Sequence, residues 1–133
     1  MTKHSTRLLH AETTRSILDS FRDVHRELGF GHRELIYSLA MERALIAKGH
    51  KVQREYSIMV YFRGEPLARE SIDLVVDDKV VIENKSARRL RPDDHAQPNS
   101  CATFLEVALL LHFGPAARFY RFVYENRFKL TGS

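Results

Sequence analysis

The sequence predicts a mixed α/β domain with element order ααβββαββ, and three observations predict it. Apolar residues recur at helical spacing over the first third of the chain, and a β-branched and aromatic meander replaces them from residue 52. Late in the chain comes an unbroken apolar run, Val107–Phe113, of the kind that needs burial on both faces of a sheet. With 133 residues, 44% hydrophobic and 29% charged, the chain suits one domain with a core of its own.

The elements follow in order. Residues 1–11 carry no pattern and are expected to fray, leaving one domain over 12–126 and a short tail over 127–133. Ile17, Leu18, Phe21, Val24 and Leu28 set a first helix over 12–28, stopped by Gly29. Leu35, Ile36, Leu39, Ala40 and Leu45 set a second over 33–48, stopped by Gly49, with Gly29-Phe30-Gly31 as the joint between them. Strands are expected over 52–62, 70–76 and 80–85, separated by a turn at 63–66 and by Asp77-Asp78-Lys79. A charged loop with Pro92, a short helix over 94–105, the apolar strand ending at Gly114-Pro115 and a last strand over 118–125 complete the order.

Several functional classes drop out. Cys101 has no second cysteine to form a disulfide or a zinc site, no apolar run approaches a membrane span, and the first fifteen residues lack an apolar leader core. The expectation is a cytoplasmic protein without membrane contact. There is no glycine-rich phosphate loop and no Gly-x-Ser-x-Gly elbow, so ATPase and serine hydrolase readings have no support. The net charge of +4 is mild, but arginine dominates it, and the planar guanidinium suits phosphate recognition.

The chemistry concentrates in residues 71–85. Strand side chains alternate faces, which puts Ile72, Leu74 and Val76 on one side of their strand and Asp73 and Val75 on the other. On the next strand Val80 and Ile82 oppose Glu83 and Lys85. If the apolar rows share one core, a three-residue loop, Asp77-Asp78-Lys79, must join the strands, with Val76 opposite Val80 and Asp73 opposite Glu83. Two adjacent carboxylates repel, and a hard divalent cation is their natural partner. The bland alternative, an edge ion pair plus a solvated aspartate, is an equal reading of the pattern alone. Glu34 and Tyr37, three apart, share a side of the second helix, where the bland account is a helix-start glutamate and a packing tyrosine.

Taken together, Gly31-x-x-Glu34-x-x-Tyr37, Asp73, Glu83-x-Lys85, Ala96-Gln97 and the Leu109-Leu110-Leu111-His112-Phe113-Gly114 strand resemble the GxxExxY proteins of the PD-(D/E)XK nuclease superfamily, over about residues 12–124. The resemblance implies a restriction-endonuclease-like core and a nuclease that hydrolyses phosphodiester bonds using Mg²⁺ or Mn²⁺. Asp73, Glu83 and the Asn84 backbone carbonyl would hold the metal, Lys85 would orient the water, and Glu34 and Gln97 would assist, with Gly31 and Tyr37 in support. Asn84 stands where an aliphatic residue is usual, His112 where Asn is usual and Cys101 where Tyr is expected. The rival reading is an inactive nuclease fold kept as a binding or regulatory module.

Arg88, Arg89 and Arg91, just beyond the site, could track a phosphate backbone, or simply be a solvated loop. The implied partner is nucleic acid, DNA ahead of RNA, with a homodimer left open. Tyr61, Phe62, Phe119, Tyr120, Phe122 and Tyr124 read mainly as core residues, not as a base-stacking platform.

Overall fold

The computed structural model describes residues 10–95 and 107–123. Helix α1 (Ala11–Leu28) buries Ile17, Phe21 and Val24, which recur at steps of three and four. Glu12 in its first turn and His25 and Arg26 in its last suit the helix dipole. It ends at Gly29, whose φ of 70° favours glycine and whose N–H bonds the His25 carbonyl at 2.8 Å.

Helix α2 (Glu34–Ala47) is rotated from expectation. Tyr37, Ser38, Met41 and Leu45 turn inward, while Leu35 and Leu39 remain 42% and 39% exposed. Apolar residues lie around the whole circumference of this helix, so periodicity could not choose the buried face; specific contacts do. The Tyr37 ring stacks on Phe113 with centroids 4.2 Å apart, its hydroxyl donates to the Gly29 carbonyl, and the His32 N–H donates to that hydroxyl at 3.2 Å. Tyr37 therefore fastens the joint between the helices from inside the core.

The sheet contains β1 (Val52–Phe62), β2 (Glu65–Val76), β3 (Val80–Lys85), β4 (Val107–Phe113) and β5 (Ala117–Val123), side by side in that order. All neighbours are antiparallel except β3 and β4. That parallel pair needs a crossover. It runs through residues 86–106, of which the described part ends in a 3₁₀ turn, Pro92–His95. The helix expected over 94–105 lies, beyond that turn, outside the described residues, as do Gln97, Cys101 and Tyr124. β4 is buried along its whole length, as its unbroken apolar run requires.

Two hairpins shape the meander. Val76 faces Val80 across the expected three-residue loop. Between β1 and β2, however, the turn tightens to Arg63-Gly64, with φ values of 50° and 79° that match a primed two-residue turn, and β2 starts at Glu65 instead of 70. A register slip between Val60 and Tyr61 leaves Leu67 as an extra, bulged residue.

Both described helices pack with Leu74, Val76, Val80, Ile82, Leu109 and Leu111 in the main core. Ile58, Ile72, Val75, Val81 and Ala108 form a second cluster. Ile72 thus leaves the row it was expected to share with Leu74 and Val76. The alternation reverses between them, at Asp73, and β1 reverses at the same level, at Glu55, whose φ of 54° is unusual for a residue with a side chain.

Asp77 closes the other end of the β2–β3 hairpin. Its carboxylate accepts the Lys51 N–H at 2.8 Å and His50 Nδ1 at 2.6 Å, while His50 Nε2 lies 2.7 Å from the Ser16 hydroxyl on α1. A Ser-His-Asp relay is the pattern of acyl transfer. Ser16 sits in mid-helix, where the N–H groups an oxyanion would need are spent on the helix ladder, so this relay is a clasp joining α1, the α2–β1 turn and the hairpin.

Candidate active site

The site forms where β3 parts from β2. Their backbone pairing runs from Val76/Val80 to Leu74/Ile82 and stops one residue short of Asp73 and Glu83, which the same register sets opposite one another. Beyond that point β3 continues beside β4, pairing Glu83, Asn84 and Lys85 with Leu110, Leu111 and His112. The Asp73 carboxylate fills the gap by accepting the Asn84 N–H at 2.8 Å. The carboxylate is thereby fixed at the fork, next to Glu83.

Several carboxylates gather there. Burial raises the Asp73 pKa above the ordinary carboxylate value, against the Asn84 hydrogen bond and Lys85, which lower it, while Glu55 adds repulsion. Glu83 is pushed up to about 8, first by desolvation and then by Asp73, with smaller repulsion from Glu34 and Glu70 and partial relief from Lys85. Lys85 is shared, since its Nζ also lies 3.7 Å from Asp94. Arg54 pairs with Glu55 at 3.4 Å, so among the described residues Lys85 is the cation that bears on Asp73 and Glu83 themselves.

The supporting contacts explain several sequence choices. Asn84, at the middle of Glu-x-Lys, donates through Nδ2 to Ser38 Oγ on α2 at 2.8 Å, so the polar side chain on the core-facing side of β3 has a matching polar partner. Glu34 is exposed at the start of α2, accepts the Ser86 N–H at 3.3 Å and is close enough to Glu83 to repel it. Ser86 Oγ donates to the His32 carbonyl, tying the segment after Lys85 to the interhelical joint that contains Gly31. Tyr37 does not stand beside Glu34 facing the site; it is wholly buried beneath the joint.

His112 occupies a second supporting position, with Nε2 2.7 Å from the Ala87 carbonyl. A Cβ at Gly114 would come within 2.7 Å of the His112 ring, so glycine is required there. Arg88 lies over the Phe30 ring at 5.4 Å, Arg89 is exposed, and the Arg91 N–H bonds Asp94. Ser38, Ser86, Asp94, Glu55 and Glu70 were missed from sequence. Only Ser38 left a usable signal, a small polar residue one turn after Glu34 in the largely apolar run 35–41.

Tyr61 and Phe62, expected in the core, are each 56% exposed, and Phe119 is 40% exposed. Alternation identified their strands correctly, but these positions lie beyond the part of the sheet covered by either cluster.

Among the described residues no three His, Cys, Asp or Glu side chains converge as a ready metal cage. The donor set nevertheless fits a hard divalent cation, which uses oxygen ligands and often only one or two carboxylates. The fit rests on partly desolvated Asp73 and Glu83 with excess negative charge. No described helix is long and apolar enough to cross a membrane. No curated protein and no solved structure matches the chain. Comparison with protein families does give a match over residues 11–122, spanning both helices, the carboxylate fork and the apolar β4 strand, and by it the chain belongs to the PD-(D/E)XK nuclease superfamily.

Proposed function

We propose that the protein is a divalent-metal-dependent nuclease of the GxxExxY type that hydrolyses phosphodiester bonds, with DNA favoured over RNA, in the cytoplasm. One observation carries the reading: Asp73 and Glu83 sit side by side at a strand fork, partly desolvated, and among the described residues Lys85, shared with Asp94, is the cation that offsets them both. Such a pair is costly unless a cation completes it. Asp73, Glu83 and the Asn84 carbonyl would hold Mg²⁺ or Mn²⁺, which supplies Lewis acidity and neutralises phosphate charge when bound.

The chain's own groups do the rest. The ionised forms of Asp73 and Glu83, whose pKa values burial raises, would be favoured by a cation there. The Lys85 ammonium, steadied by Asp94, orients the attacking water and stabilises charge building on the phosphoryl oxygens. Glu34, held by the Ser86 N–H, adds acceptor capacity on the helix side. Gln97 would support the site from the segment after the Arg88, Arg89 and Arg91 loop, whose guanidinium groups engage the phosphate backbone.

The test is cleavage of labelled single- and double-stranded DNA and RNA with Mg²⁺, with Mn²⁺ and with EDTA, using Glu83→Gln as the control. Metal-dependent cleavage lost in the variant supports the reading, and none on any substrate overturns it. The rival reading is a binding module without turnover. Metal and nucleic-acid binding without cleavage would establish that one.

A further inference from the structure

The β1–β2 hairpin is much longer than the sheet needs. β3 pairs with β2 only at Leu74, Val75 and Val76, whereas β2 pairs with β1 back to Glu65. A two-stranded arm therefore leaves the sheet at Asp73 and Glu55 and ends at the Arg63-Gly64 turn. From Asp73 to Glu65, which faces Phe62, the arm extends about 25 Å at roughly 3.3 Å per residue.

Its tip exposes large apolar side chains, with Tyr61 and Phe62, as strand neighbours, on opposite faces of the arm. Tyr61 and Phe62 are each 56% exposed and Leu67 is 66% exposed, and the Arg63 guanidinium lies over the Phe62 ring at 4.8 Å. Exposed rings at the end of an arm need a partner. Another β-strand fits poorly: the Leu67 bulge breaks the ladder, Pro66 lacks an N–H, and Arg63 and Arg69 place charge on the arm, all devices that oppose edge-to-edge pairing. Flat rings with a guanidinium layered on one of them match a nucleobase next to a phosphate.

We infer that the arm tip binds unpaired nucleotides of the substrate, stacking bases on Tyr61 and Phe62 about seven stacked nucleotides, at 3.4 Å each, from the phosphate held at the fork. This rests on the nuclease reading, because Asp73 stands at the arm's root and a strand entering the site is thereby aligned with the arm. The arm measures substrate length, so strands too short to reach the tip lose its contribution.

Phe62→Trp tests this directly, because the chain has no other tryptophan. In a Lys85→Ala background, which removes turnover and keeps both fork carboxylates, single-stranded oligonucleotides of about 15 nucleotides should quench that fluorescence with Mg²⁺ present, while strands of about 5 nucleotides, too short to span the arm, should not. By anisotropy, the combined Tyr61→Ala and Phe62→Ala change should weaken binding of the long strand about tenfold or more, leave the short strand unchanged, and be rescued by the tryptophan. Unchanged long-strand affinity with no quench overturns the arm's role while leaving the nuclease reading intact. Loss of a dimer in the alanine variant by light scattering also overturns it, by assigning the rings to a second copy. A parent protein that neither binds nor cleaves nucleic acid fails both readings together.

Discussion

Two aspartates four residues apart, Asp73 within β2 and Asp77 in the loop just after it, meet opposite fates. Asp77, at the hairpin end, is lifted by burial, but His50 and the Lys51 N–H outweigh that and bring its pKa below the ordinary value. Asp73, at the fork, keeps a raised pKa because desolvation outweighs one hydrogen bond and one shared lysine. Where a carboxylate serves the fold, its neighbours satisfy it. At the fork, burial and repulsion outweigh the neighbours, and that is where the proposed cation would bind.

The largest effect expected is on cleavage. Glu83→Gln should reduce it by at least about 100-fold while raising the apo protein's stability by about 1–3 kcal/mol, because it removes a repelling, desolvated acid. Nuclease assays and melting curves on one preparation read both. An apo protein that becomes less stable would break the contrast.

Metal should act only at the fork. At about 100 times its dissociation constant, Mg²⁺ or Mn²⁺ should stabilise the native state by about 2.7 kcal/mol, an effect reversed by EDTA and absent in Glu83→Gln. Asp77→Ala should melt lower in both conditions, by about 2 kcal/mol, through lost hydrogen bonds and a left-handed backbone position, yet keep the full metal response.

The two ends should also separate along the pH axis. Below about pH 4.5 Glu83 holds its proton in both states and costs nothing; as pH rises from there to about 8 the unfolded chain ionises first, so apo stability falls and then levels. Metal affinity should strengthen over the same window. Asp77 has the opposite sign, contributing stability above its ordinary pKa and losing it as pH falls through the lowered folded value. Denaturant midpoints across pH, with Glu83→Gln flattening only the upper limb and Asp77→Ala only the acid limb, would verify the assignment.

The smallest effect concerns the shell beneath the site. Ser38→Ala should cost about 1–2 kcal/mol by orphaning the buried Asn84 amide, and Asn84→Val in the same chain should recover much of it. A double-mutant cycle with no coupling would remove Ser38 from the support of Glu83 and Lys85.

The sequence by itself determined the order of the two described helices and five strands, the three-residue loop and the register that sets Asp73 opposite Glu83. Local chemistry decides these: Gly29 and Gly49 stop helices, β-branched runs extend, and one loop length sets the register. It also located Glu34 near the fork, through a motif rather than through periodicity. Tertiary structure decided what local pattern leaves degenerate. α2 carries apolar residues on every side, and the Tyr37–Phe113 stack and the Ser38–Asn84 bond, with Met41 and Leu45 in the core, mark its inward face. Ile72 follows perfect alternation, yet the reversal at Glu55 and Asp73 sends it to the other cluster, because strands that must part at a fork cannot keep one continuous pleat. Tyr61 and Phe62 read as core because alternation reports a strand but not whether a layer covers it. The satisfied state of Asp77 and the unsatisfied state of Asp73 depend on Lys51, His50 and Asn84, brought together across 11–27 positions of sequence, and no spacing rule along one strand could tell those two aspartates apart.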